Sequence, residues 1–134
     1  MLEGFEVLSP VVGAPAMSVT DAGISFNKTA VEKLELAEFV KVLINRSANQ
    51  IAIVPCSEED DGSRSFLKKG RESKNGVRWN NYDLKSEISQ LMNWDLKNSG
   101  KKIKGDYLKA ENALLFDLNR ASILQTRNRG GSNE

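Results

Sequence analysis

The chain of 134 residues contains no histidine. That absence removes imidazole general bases, Ser-His and Cys-His nucleophile pairs and histidine-bearing zinc sites together. Cysteine is nearly missing as well. The single Cys56 excludes an internal disulfide and a thiolate zinc site, and it reads as a small packed residue. No apolar run reaches the roughly eighteen residues a membrane-spanning helix needs. There is no glycine-rich nucleotide loop and no nucleophile elbow. Glu58-Glu59-Asp60-Asp61 lacks the alternating ligand spacing of a calcium loop and reads as solvated. These absences disfavour an enzyme, and no cofactor, metal or membrane partner is expected. Near the N-terminus, Ala14-Pro15-Ala16 has the small residues of a cleavage site. The first charges, however, are Glu3 and Glu6, and Gly4, Ser9 and Pro10 break the apolar stretch. A strand and turn are therefore expected rather than a signal peptide, with a cytoplasmic location.

What is present is an ordinary globular balance. Hydrophobic residues make up 40% and charged residues 28%, enough for a real core but not for two large ones. Residues 1–124 are read as a single α+β module, and the polar, glycine-rich residues 125–134 as a frayed tail. Charge is unevenly placed. Residues 1–62 carry four basic and ten acidic side chains, whereas residues 63–134 carry fifteen basic and eight acidic. The first part is thus net −6 and the second net +7, a split that either marks an anion-seeking face or helps two halves dock.

Phe5-Glu6-Val7-Leu8, Met17-Ser18-Val19-Thr20 and Ile24-Ser25-Phe26 read as strands, the last two joined by the Asp21-Ala22-Gly23 turn. Asn27 is a helix N-cap ahead of Ala30, Val31 and Leu34 on one apolar face. Phe39–Ile44 and Gln50–Val54 form a hairpin closed by residues 45–49, and Pro55 ends it. Ser65-Phe66-Leu67 is a short strand ahead of a basic stretch and the turn pair Asn75-Gly76.

The pattern then returns. Gly76-Val77-Arg78-Trp79-Asn80 echoes Gly23-Ile24-Ser25-Phe26-Asn27 in order: glycine, β-branched, polar, aromatic, asparagine. A helix follows with Leu84, Ile88, Leu91 and Met92 on one stripe, then a weaker strand region made of 101–105 and 107–108, and a buried strand, Ala113–Leu118. Two copies about fifty residues apart indicate duplication. Repeat one covers about 17–55, a charged connector 56–75, and repeat two about 76–118. The stretch from Val19 to Leu34, continuing from Phe39 to Pro55, resembles the AbrB/SpoVT and MraZ type of swapped-hairpin barrel. That resemblance implies a small β-barrel built from two interlocking strand–helix–strand–strand repeats, a pseudo-dimer within one chain of the MraZ-like tandem kind.

The basic connector supplies the leading candidate site: Arg64, Lys68, Lys69, Arg71, Lys74 and Arg78, opposed only by Glu72. Lys101, Lys102 and Lys104 form a second cluster that a pseudo-twofold could bring beside the first. Such cations bind phosphates by releasing counterions. Trp79 could stack on a base but matches Phe26 in the repeat, which makes it core. Asp117, inside an apolar strand, calls for a partner such as Arg120 or a turn hydrogen bond. The first reading is a DNA-binding transcriptional regulator or a relative of one, docking through a basic face. The alternative is a non-enzymatic protein-interaction or self-assembly module that kept the barrel without DNA binding.

Overall fold

The computed structural model describes residues 3–5, 14–67, 76–80 and 82–124. The strand expected at Phe5–Leu8, apart from Phe5, and the tail 125–134 lie outside them, as do residues 68–75 of the connector. Alternating sequence becomes strand where expected. A hairpin of β1 (Ala16–Thr20) and β2 (Gly23–Phe26) leads into helix α1 (Lys28–Lys33). A second hairpin, β3 (Phe39–Asn45) and β4 (Gln50–Pro55), follows. After β5 (Arg64–Ser65) and β6 (Val77–Trp79) come helix α2 (Tyr82–Met92) and a third hairpin. That hairpin joins β7 (Lys101–Leu108) to β8 (Ala113–Asp117). A 3₁₀ turn, Leu118–Arg120, then passes into β9 (Ser122–Ile123).

The nine strands of the described residues belong to one antiparallel sheet, in the order β5-β3-β4-β8-β7-β1-β2-β6, with β9 paired to β7. The sheet curls into a strand-rich half-barrel with the two helices as its only α-helical elements among the described residues. Its two ends meet through side chains: Trp79 on β6 donates its indole N–H to the Ser65 carbonyl on β5 at 2.9 Å. The inward positions of every long strand fill the core, where Met17, Val19, Ile24, Phe26, Ile51, Ile53, Ile103, Leu114 and Phe116 are essentially inaccessible. Phe26 is central, with ring centroids 5.1 Å from Trp79, 5.4 Å from Phe66 and 6.1 Å from Phe116. The Trp79 and Phe66 contacts are edge-to-face, which adds to burial because a ring edge meets its neighbour's negative face.

The helices are set by their caps and stripes. Asn27 Oδ1 accepts the Ala30 amide at 2.9 Å, as the N-cap reading requires, and also the Ala16 amide at 3.0 Å. Its Nδ2 donates to the Ala14 carbonyl at 2.9 Å, so one side chain starts α1 and clasps the entry to β1. On α2, Leu84 and Ile88 are buried and Leu91 and Met92 pack on the core, matching the apolar stripe. Two expectations change in detail. The strand read at Ser65–Leu67 begins earlier, at Arg64, with Phe66 and Leu67 still bonding through their amides to the Glu38 and Ala37 carbonyls. The weak strand region of 101–105 and 107–108 is one strand, the longest in the sheet, because it pairs with β1 on one side and with β8 and β9 on the other.

The β2–β6 pairing joins the chain's two halves through Ile24↔Trp79, Ser25↔Arg78 and Phe26↔Val77. A glycine with positive φ stands at each end. Gly23 (φ 143°) lies against the Trp79 carbonyl and Gly76 (φ 76°) against the Phe26 carbonyl, and a Cβ at either would collide with that oxygen. Gly23→Ala and Gly76→Ala are each expected to lower the unfolding free energy by more than the roughly 1–3 kcal/mol of a strained φ alone. Urea denaturation measures this, with Gly62→Ala as the reference: Gly62 has φ 79° but open space around it. A loss at Gly23 or Gly76 no greater than at Gly62 would show that the close approach does not matter.

Candidate nucleic-acid interface

Strand alternation sorts the candidate cations. On β7, Ile103 points into the core, so Lys102 and Lys104 point outward and are exposed. On β6, Val77 and Trp79 are buried and Arg78 between them is exposed. The registers Lys102↔Ser18, Ser18↔Ser25 and Ser25↔Arg78 place these residues in one outward row across β7, β1, β2 and β6. Three interstrand spacings separate its ends, about 14 Å. The side chains of Arg78, Lys102 and Lys104 have no hydrogen-bond or ion-pair partner among the described residues. Unneutralised cations at both margins of a strip of small hydroxyl residues form a surface that attracts extended anions.

Other candidates are engaged elsewhere. Arg64 donates to the Asp83 carboxylate at 3.3 Å and lies over the Trp79 ring, 5.8 Å from its centroid. Its side chain is 28% exposed, so it serves the seam between the sheet ends rather than the outer row. Lys101 faces the other way from Lys102, with its ammonium 5.7 Å from the Trp94 ring centroid. Lys68, Lys69, Arg71 and Lys74 lie outside the described residues; the flanking chain enters β6 at Gly76, next to Arg78. Trp79, 6% exposed, is core and offers no ring face for stacking.

A fourth outward cation was not assigned to binding from sequence. Arg120 stands exposed beside a groove of about 390 Å³ lined by Ala14, Lys102, Lys104, Gly105, Asp106, Arg120 and Ser122. The sequence offered Arg120 or a turn hydrogen bond as the partner of Asp117, and the turn bond is the one that forms in place of an Arg120 contact. Asp117 is the N-cap of the 3₁₀ turn, accepting from the Asn119 amide and from Asn119 Nδ2, both at 3.1 Å. Only the antiparallel register of β9 on β7 brings residue 120 alongside Lys104, and no local spacing in the sequence carries that information.

Elsewhere, partial burial, with Asp60 adding to it, pushes the Cys56 thiol up, which lowers its thiolate fraction at neutral pH. Among the described residues no three acidic or cysteine side chains gather as a metal site, and no helix is long and apolar enough to cross a membrane. On the rest of the outer surface, the outward row Leu43↔Ala52↔Leu115 is apolar, with Leu43 51% exposed, and it meets β7 at Asp106. No family model, curated protein or solved structure matches this chain.

The Arg64–Asp83 contact has a pH signature. The Arg64 hydrogen bond, helped by the Leu84 amide, holds the Asp83 carboxyl below its ordinary value. A lowered folded-state pKa stabilises above the unfolded pKa, and that contribution disappears as pH falls through the folded value. Asp83 is 68% exposed, so solvent screening limits the pair to about 0.5 kcal/mol. Asp83→Asn is expected to cost about that much at neutral pH and nothing once pH is well below about 4. Thermal melts across pH 2–7 provide the check, and a pH-independent gap would mean that the contact is not ionic.

Proposed function

We propose that the protein is a nucleic-acid-binding module, a DNA-binding regulator or a relative of one, which docks phosphates on the outer face of β7, β1, β2 and β6. The observation that carries this is the single outward row ending in Lys102 and Arg78, with Lys104 beside it and no neutralising partner among the described residues. Cations held on paired strands keep their spacing, so they meet a backbone of regular charge without first being ordered. The remaining connector cations, Lys68, Lys69, Arg71 and Lys74, enter this reading by sequence adjacency to β6 alone.

The fold reading behind it is a duplicated swapped-hairpin barrel. Three features support it. The β2–β6 register is its own mirror image: Ile24-Ser25-Phe26 meets Val77-Arg78-Trp79 in reverse, with Ser25 opposite its own counterpart. The β4–β8 register behaves the same way around Ala52↔Leu115. Finally, the β3–β4 and β7–β8 hairpins both turn through four residues ending in an asparagine of positive φ, Asn49 (58°) and Asn112 (50°). In such a twofold the β1–β2 hairpin lies between β7 and β6 of the other repeat, as the strand order has it. Barrel membership does not by itself bring DNA binding, which is why the reading rests on the row of cations.

A second reading, protein association without nucleic acid, has its own observation in the apolar row of Leu43, Ala52 and Leu115. The discriminating experiment titrates the full chain with a labelled duplex at several salt concentrations. Binding at low salt is expected to weaken steeply as salt rises. Arg78→Gln, Lys102→Gln and Lys104→Gln together should reduce the log–log salt slope by about 2–3 and low-salt affinity by about 100-fold. Absence of wild-type binding at low salt would leave association through the apolar row as the better account. Unchanged binding in the triple variant would move the interface away from this face.

A further inference from the structure

We infer that the groove between β7, β9 and the 3₁₀ turn is a phosphate seat, formed by Lys102, Lys104 and Arg120 with the Ser122 hydroxyl at its side; as a site for a backbone phosphodiester it rests on the nucleic-acid reading above. Three cations line it against one carboxylate, Asp106, leaving a net charge of +2 within about 390 Å³. None of the three cationic side chains has a hydrogen-bond or ion-pair partner among the described residues. Like charges held this close repel one another, and a bound anion relieves that repulsion.

The backbone around them is pinned. Lys102 pairs with Ser18 on one side and Ser122 on the other, and the Ser122 hydroxyl reaches the Lys102 carbonyl at 3.4 Å. Lys104 pairs with Ala16, and the neighbouring Gly105 amide donates to the Pro15 carbonyl at 2.7 Å, fixing the groove's wall beside Ala14. Arg120 ends the turn that Asp117 caps, and the Ala121 amide closes that turn on the Leu118 carbonyl at 3.3 Å. The guanidinium supplies a planar fork for two phosphate oxygens, whereas the two ammonium groups act as point charges. Ala14 places little bulk in the way. Asp106 sits in the same lining and repels anions, so it lowers the affinity that the three cations would otherwise give.

The test uses the full chain and two probes, a short duplex and inorganic pyrophosphate, followed by amide chemical shifts and by salt-dependent affinity. With either probe, shifts are expected at Lys102, Lys104, Arg120 and Ser122. Arg120→Gln should lower duplex affinity about tenfold at low salt and reduce the salt slope by about 1. Asp106→Asn should raise duplex affinity. Lys97→Gln, whose side chain lines a separate groove with Leu96 and Ile123, should change neither slope nor shifts at these positions. Should pyrophosphate move the same amides while the duplex does not bind, the phosphate seat stands and the nucleic-acid reading falls. Duplex binding that Arg120→Gln leaves untouched in slope and affinity, or shifts confined to other residues with both probes, overturns the seat.

Discussion

The antiparallel pairing of β2 with β6 is the constraint on which the rest depends. It joins residues from the two halves of the chain backbone to backbone, and it closes only because Gly23 and Gly76 leave room for the carbonyls of Trp79 and Phe26. That register decides which way the neighbouring side chains face. Phe26 and Trp79 must then point inward, where they meet each other and Phe66, and Ser25 and Arg78 must point outward. Core and candidate interface are therefore two faces of the same pairing. A shift of one residue would exchange them, burying Arg78 without a partner and exposing Trp79.

Much of this was legible in the sequence, and the parts that were not have a common cause. Asn27 as a cap, the hairpin around residues 45–49 and the α2 stripe all depend on near neighbours, and each is found in the described structure. Strand β7 read as weak because Lys101, Lys102 and Lys104 fill the positions around Ile103. Apolar alternation fades when one face is solvated and lysine-rich, although the ladder itself is strong. The fates of Arg64 and Lys101 were hidden for another reason. Their partners, the Trp79 and Trp94 rings, are brought to them by tertiary folding, so composition made them look as available as Lys102. Arg120 was the converse: an apparent structural partner that the register of β9 places beside two lysines.

Among the described residues two ion pairs join the acidic first part to the basic second, and one of them follows the sign of the asymmetry. Lys85 to Asp21 follows the sign of the asymmetry, with a basic second half meeting an acidic first half. Arg46 to Glu87 runs against it, and both glutamate and arginine are more than half exposed, so the contact is worth little. The excess positive charge remains on the outer surface. The sheet's curl then divides that surface: β7, β1, β2 and β6 carry hydroxyls edged by cations, while β3, β4 and β8 carry Leu43, Ala52 and Leu115. Alternation with period two is sufficient to produce both faces over one core, and no separate domain is required for either.

On the proposed reading, the chemistry of the basic face also limits what kind of recognition it can perform. Reading a base edge takes side chains with paired donors and acceptors, such as arginine on guanine or asparagine on adenine, reaching into a groove. The middle of this row holds Ser18 and Ser25, both half-buried and too short to reach a base across a backbone, and its cations stand only at the margins. Such an arrangement positions a nucleic acid through its phosphates and contributes little discrimination among sequences. Of the outward cations on this face, Arg78 and Arg120 carry the forked geometry of a base reader. They lie at opposite ends of the face, Arg78 on β6 and Arg120 beside β7. Sequence choice, where this module makes one, then falls to those two arginines, with the strip between them holding the backbone in register.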